Sequence, residues 1–206
     1  MHIGIIGSAG RGEDGAKWTK AVYNKAYSRL ISILAQVANG EIWSVHSGGA
    51  AWADHLAVSL ARSNQIDASK LNLHIPCPFM INGSEMLGGT KGPIPGFYDT
   101  GERDHLTNPG GTLNYYHRLF SEKMGGNTLN GIKAAIEAGV IVHDQYFHKR
   151  GNRLLERNKG IGRGLDVLIA FTWGEGDIPK DGGTKHCWDH SDAATKIHIP
   201  LNQFRS

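Results

Sequence analysis

The sequence predicts an α/β fold: a doubly wound, mostly parallel sheet flanked by helices, with a long central insertion. Short apolar runs recur at residues 2–7, 42–45, 71–75 and 166–171. The first, second and last of these each lead through a glycine-bearing turn into a segment of helical character. Strands that alternate with helices in this way build parallel sheets, and their ligands sit at the carboxyl ends of the strands.

His2-Ile3-Gly4-Ile5-Ile6-Gly7 reads as the first strand and Ser8-Ala9-Gly10-Arg11-Gly12 as a flexible loop suited to cradling phosphate. Trp18, Val22, Ala26, Leu30, Ile33, Leu34 and Val37 then recur every three to four residues, the mark of a helix burying one face, and Gly40 is its expected C-terminal cap. The run Ile42 to Val45 is the second strand. It feeds Ser47-Gly48-Gly49-Ala50-Ala51-Trp52-Ala53-Asp54, which opens a helix through Leu56 and Leu60. Adjacent glycines bend the backbone tightly and leave N–H groups open to an anion, with Asp54 in the first helical turn. A plain strand-to-helix connection carries the same pattern, so the rest of the chain must supply the context.

Leu71 to Ile75 forms a third strand, stopped by Pro76-Cys77-Pro78. Residues 79–111 show no periodicity and read either as a lid, with Phe97, Tyr98, Asp99 and Arg103 placed to meet a base or ribose, or as a variable surface insertion. Two helices follow Pro109-Gly110-Gly111-Thr112, with core faces at Tyr115, Tyr116, Leu119 and Phe120 and at Leu129, Ile132, Ala135 and Ile136. Val140-Ile141-Val142 is a short strand or a buried connection. If the basic stretch from His148 to Lys159 is helical, Arg150, Arg153 and Arg157 share a face suited to phosphate or carboxylate, though a solvated helix has the same look. Asp166 to Phe171 is the clearest strand of the C-terminal part. Asp181-Gly182-Gly183-Thr184 opens a helix through about Ala194, and Ile197 to Leu201 closes the sheet. Three glycine turns at equivalent strand ends would converge on one cleft.

Composition narrows the function. The 206 residues suit a single domain with an insertion at about 79–146, and 40% hydrophobic with 20% charged residues fits a globular protein. A net charge of +3 without a dense Lys/Arg tract allows a phosphate-bearing small molecule and does not call for nucleic acid. Cys77 and Cys187 provide no framework of bridges, in keeping with a reducing cytoplasm, and no apolar run reaches the roughly 20 residues of a membrane span. Gly7, Gly10 and Gly12 do not fit the dinucleotide fingerprint, and no Gly-Lys-Ser/Thr closes either early loop, which argues against nicotinamide and P-loop chemistry.

Gly7 to Arg11, Ser47 through Asp54, Arg157-Asn158, and Asp166 through Gly183-Thr184 together resemble the SLOG superfamily. Its Rossmann-like members include the Lonely Guy phosphoribohydrolases, DNA-processing protein A and the YpsA-like proteins; the likeness here is to an uncharacterised branch of bacteria and phages. It covers about residues 1–76 and 147–201. The resemblance implies a pocket for a nucleotide or nucleotide derivative of the AMP or ADP-ribose kind, no cofactor, and a homodimer paired through helices. Lonely Guy enzymes place a glutamate at the ribose through Pro-Gly-Gly-x-Gly-Thr-x-x-Glu. Here Gly182-Gly183-Thr184 lacks the intervening glycine, and the acid, Asp189, falls two positions late.

The expected reaction, were the chain an enzyme, is cleavage of a nucleotide N-glycosidic bond. Positive charge develops on the sugar in that reaction, so a carboxylate must stand against the anomeric carbon while donors hold the phosphate. Asp54 and Asp189 are the candidate acids, with Glu156 third. Gly7, Ser8, Arg11, Ser47, Gly48, Gly49, Arg150, Arg153, Arg157, Asn158, Gly182, Gly183 and Thr184 are the candidate ligand contacts. A competing class is a non-catalytic protein that senses or sequesters a nucleotide signal. The i, i+4 pair His186 and His190 offers only a weak metal motif beside Cys187 and Asp189, and no metal is expected.

Overall fold

A computed structural model describes residues 1–38, 41–82, 93–148, 152–180 and 182–205. In chain order the elements are β1 (His2–Gly7), α1 (Asp14–Lys17), α2 (Lys20–Val37), β2 (Ser44–Ser47), α3 (His55–Arg62), β3 (Leu71–His74), β4 (Phe79–Met80), β5 (Gly96–Phe97), α4 (Pro109–Met124), α5 (Thr128–Glu137), β6 (Ile141–His143), α6 (Arg153–Ile161), β7 (Val167–Thr172), α7 (Gly182–His190) and β8 (Thr195–Pro200). Six strands form one sheet in the order β6-β3-β2-β1-β7-β8, every neighbouring pair parallel. This is the doubly wound, Rossmann-like α/β architecture the sequence predicts.

The chain walks outward from β1 to β2, β3 and β6, then crosses back through α6 to β7 on the other side of β1. The reversal between β1 and β7 is the topological switch point, and the connections that leave its carboxyl end diverge to open a crevice. The two faces of the sheet are covered differently. Ile3, Ile5, Val45, Leu71, Leu73, Ile169 and Phe171 pack with the buried stripes of α2, α3 and α5. On the opposite face Ile6, Leu168 and Ala170 cluster with Ile161 of α6 and Cys187 and Trp188 of α7. All six residues of β7 are buried, as befits a strand at the centre of the sheet.

Local chemistry starts the helices where the sequence marks them. The Thr19 hydroxyl accepts from the Val22 amide ahead of α2, Asn108 accepts from Gly111 with Pro109 at the first turn of α4, and Asn152 accepts from Leu155 at α6. Gly40 lies outside the described residues.

The stretch expected as an insertion is in part structural. Residues 141–143 form the edge strand that pairs with β3, α5 packs on the sheet, and only β4 and β5 make a separate two-stranded hairpin. Phe97 and Tyr98, expected to meet a base or ribose, are instead buried and line neither of the cavities described below.

Candidate cleft at the sheet switch point

The three glycine turns meet. Beyond β1, the Ser8 amide donates to the Phe171 carbonyl of β7 (2.8 Å) and the Gly7 amide donates to Asp54 Oδ1 (3.1 Å) in the turn before α3. Gly7 must be glycine for this approach, because a Cβ there would lie 2.2 Å from the Phe171 carbonyl oxygen and 2.5 Å from Ala53 Cβ. Ser47, fully buried below the turn, donates to the carbonyls of Ile5 and Asp54 and so ties β1 to the second turn.

Two adjacent α6 side chains hold the Gly-Gly turns on either side. Arg157 Nη1 donates to the Gly48 carbonyl, and Asn158 Nδ2 donates to the Gly183 carbonyl at the start of α7 (2.8 Å). A Cβ on Gly48 would fall 2.5 Å from both Arg157 Nη1 and Asp54 Oδ2, so the second glycine pair is also fitted to its neighbours. Gly49 and Gly182 have φ of +64° and +77°, a region that glycine enters without steric cost.

The resulting cleft has a volume of about 630 Å³. Of the residues expected to bind ligand, Gly7, Ser8, Arg11, Arg157, Asn158, Gly182, Gly183 and Thr184 line it. Ser47, Gly48 and Gly49 support it from beneath. Arg153 turns aside, its guanidinium 5.0 Å from the centre of the Phe147 ring, and Arg150 lies outside the described residues. Asp14, Lys17, His105, Trp173 and Lys180 join the lining without having been singled out in the sequence, as does His186, which the sequence marks only as half of a weak metal motif. The nearest sequence signal for Asp14 and Lys17 was their position just after the first glycine loop; His105 had none.

Four cations, Arg11, Lys17, Arg157 and Lys180, face two carboxylates, Asp14 and Asp54, across this lining. The first turn of α7 adds the amides of Gly182, Gly183 and Thr184, donors that a helix leaves without intrahelical partners. Arg157 is 8% exposed, and its Nε has no hydrogen-bond partner among the described residues; the same is true of Trp173 Nε1 and His186 Nδ1.

The candidate acids differ in environment. Asp54 is buried. Burial pushes its carboxyl above the ordinary range, opposed by Arg157 and by the amides of Ala50 and Gly7. Asp189 is exposed and bonded to Lys185, and it does not line the cleft; neither does Glu156, whose Oε1 accepts from Lys159 at 2.7 Å. Asp14 lines the cleft beside Ser8 and pairs with Lys17 at 2.8 Å.

The chain is 30% identical to an uncharacterized protein of Acanthamoeba polyphaga mimivirus over 209 aligned positions, which span 98% of this chain and 97% of the viral one. It belongs to one family with that viral protein. A match of this extent takes in the central stretch as well as both ends of the chain. No family model matches the chain, and no solved structure does.

The cysteines and histidines of this region have plain roles. Cys187 donates to the Asn158 carbonyl at 3.3 Å, and burial pushes its thiol up to about 12. His186 and His190 stack with ring centres 4.1 Å apart, and among the described residues no group of three or more His, Cys, Asp or Glu side chains is arranged to hold a metal ion. Among the described residues no helix is long and apolar enough to cross a membrane.

Proposed function

We propose that the cleft binds a nucleotide or nucleotide derivative of the AMP or ADP-ribose kind through its phosphate. The observation that carries this reading is Arg157. A guanidinium on the cleft lining, tied to the Gly48 carbonyl and held beside Asp54, is a fixed positive charge that an anion entering the cleft would meet. Arg11, Lys17, Lys180 and the first turn of α7 supply the rest of a phosphate cradle. The resemblance to SLOG proteins, with their nucleotide pockets at equivalent turns, points the same way.

Cleavage of the N-glycosidic bond requires a carboxylate free to face the sugar. Asp54 and Asp14 are the acids of the lining, and both are engaged: Asp54 by two backbone amides and Arg157, Asp14 by Lys17. Those contacts favour the second reading, a protein that senses or sequesters a nucleotide without breaking it.

Titration calorimetry with AMP and ADP-ribose, followed by chromatography of the same mixtures for released base, tests both. Binding with intact ligand recovered supports the sensor, and base release supports the hydrolase. No heat at millimolar ligand would reject the phosphate reading itself.

A further inference from the structure

A second chamber of about 490 Å³ opens beside the cleft, and Arg11 and His105 line both. Its walls come from the segment after β5 and from the first turns of α4, the part of the chain that the glycine turns do not explain. The chemistry of the two spaces differs. In the cleft the fixed charges are predominantly positive. In the chamber Arg11 and Arg103 are balanced by Asp99 and Glu102, and two tyrosine rings, Tyr115 and Tyr116, stand edge to face with centres 5.2 Å apart. Arg11 lies 5.9 Å from the centre of the Tyr116 ring, at the boundary between the spaces.

With its two arginines and two carboxylates in balance, the chamber lacks the excess of positive charge that marks the cleft. Carboxylates beside aromatic faces suit a sugar with vicinal hydroxyls joined to a flat base: an acidic side chain accepts from ribose hydroxyls, and tyrosine offers a stacking face. From the two chambers joined at Arg11, we infer that the protein takes a nucleoside diphosphate derivative lengthwise. The base and its ribose occupy the chamber between Tyr115 and Asp99, the pyrophosphate passes Arg11, and the distal group enters the cationic cleft. This rests on the phosphate reading above and adds to it a ligand class: the protein distinguishes a nucleoside diphosphate derivative from a bare sugar phosphate by the nucleoside end. Tyr115 is half-exposed and Glu102 exposed, and neither belongs to the core, which makes them safe points of intervention.

Calorimetry with inorganic pyrophosphate, ribose 5-phosphate and ADP-ribose on the wild-type chain and on Tyr115→Ala and Glu102→Gln provides the test, with thermal melts confirming that each variant folds. ADP-ribose is expected to bind the wild type at least about tenfold more tightly than ribose 5-phosphate or pyrophosphate, which corresponds to about 1.4 kcal/mol. Tyr115→Ala is expected to erase most of that advantage while leaving the two smaller ligands unchanged. Equal binding of pyrophosphate and ADP-ribose, or a variant that weakens all three alike, overturns this inference and leaves the phosphate cleft standing. Failure of every ligand to bind removes both.

Discussion

Arg157 Nη2 stands 3.6 Å from Asp54 Oδ2, and both side chains are buried beneath the turn that joins β2 to α3. The pair does two things at once: it locks Gly7, Gly48 and Ala50 into place, and it holds a guanidinium on the wall of the cleft. Taking one partner away leaves a charge in a dry setting, so Asp54→Ala is expected to destabilise the fold by about 3–5 kcal/mol. Replacing both, Asp54→Leu with Arg157→Met, removes the stranded charge but leaves the Gly7 and Ala50 amides and the Gly48 carbonyl unpaired, so it should recover only part of that loss and abolish phosphate binding. Urea midpoints paired with calorimetry separate the two effects, and a double variant that still binds phosphate would refute the role given to Arg157.

The glycines of the three turns are unequal, and alanine at each should report it. At Gly7 an added methyl meets a carbonyl oxygen at 2.2 Å, and backbone cannot step aside as a side chain can. At Gly183 the nearest atom is Asn158 Nδ2 at 3.4 Å, an ordinary contact. Gly7→Ala is therefore expected to cost about 1–3 kcal/mol, the range for overpacking, and Gly183→Ala under about 0.5 kcal/mol. Chemical denaturation of the two variants side by side checks the contrast, and similar midpoints would argue against the close approach of β1 to β7.

Much of this organisation was legible before any coordinates. Apolar runs announced β1 and β7, because a strand buried on both faces has no polar side to show, whereas β2 runs Ser44–Ser47, two residues beyond the apolar run at 42–45, with Ser44 and His46 only partly buried. The turns were legible too, since adjacent glycines at a strand end have few other uses. The split roles of Arg157 and Asn158 were not, because one faces Gly48 and the other Gly183 across a distance of 109 and 25 residues in sequence, which no local pattern encodes. Asp189 looked attractive for its nearness to Gly183, yet helix periodicity carries it to the solvent side with Lys185, one turn earlier. The second chamber was legible only in part: Asp99 and Arg103 stand out in the unpatterned stretch, whereas Tyr115, which the spacing places in the core, is half-exposed on the chamber wall. Asp99, Glu102 and Tyr115 are gathered by the Asn108 cap, whose amide bonds to Asp99 Oδ1 and to the Glu102 carbonyl while its oxygen takes the Gly111 and Thr100 amides.

Neither thiol is available for chemistry in the folded chain. Burial pushes both Cys77 and Cys187 up to about 12, so almost no thiolate exists near neutrality. A thiol reagent such as 5,5′-dithiobis(2-nitrobenzoate) at pH 8 is expected to react with neither residue until denaturant is added, and then with both. Prompt labelling of one native thiol would show that the packing around α7 or the Pro76–Pro78 corner opens readily.

Acid should unfold this protein through its histidines. His46 and His74 lie 3.0 Å apart in a line that runs from His2 and Ser44 to Tyr146 across β1, β2 and β3. Burial, reinforced by the neighbouring imidazoles, holds His46 at about 4 and His74 at about 3. Burial alone brings His117 to about 4, opposed by the Gly49 carbonyl, to which its Nε2 donates at 3.0 Å. In the unfolded chain each titrates near 6.5. Above that pH both states are neutral and the full stability is present. Below it the unfolded chain takes up protons that the folded chain refuses, so stability falls from pH 6.5 toward pH 4, by up to about 1.4 kcal/mol per pH unit for each buried histidine. Asp54 acts in the opposite sense, because a carboxyl raised by burial takes up its proton sooner in the folded state, but it is one group against several imidazoles. Urea midpoints at pH 7 and pH 5 should therefore differ clearly, and His117→Gln, which loses the titrating ring, should show a shallower decline. A midpoint that does not move between those two pH values would mean that the buried imidazoles find protons without unfolding.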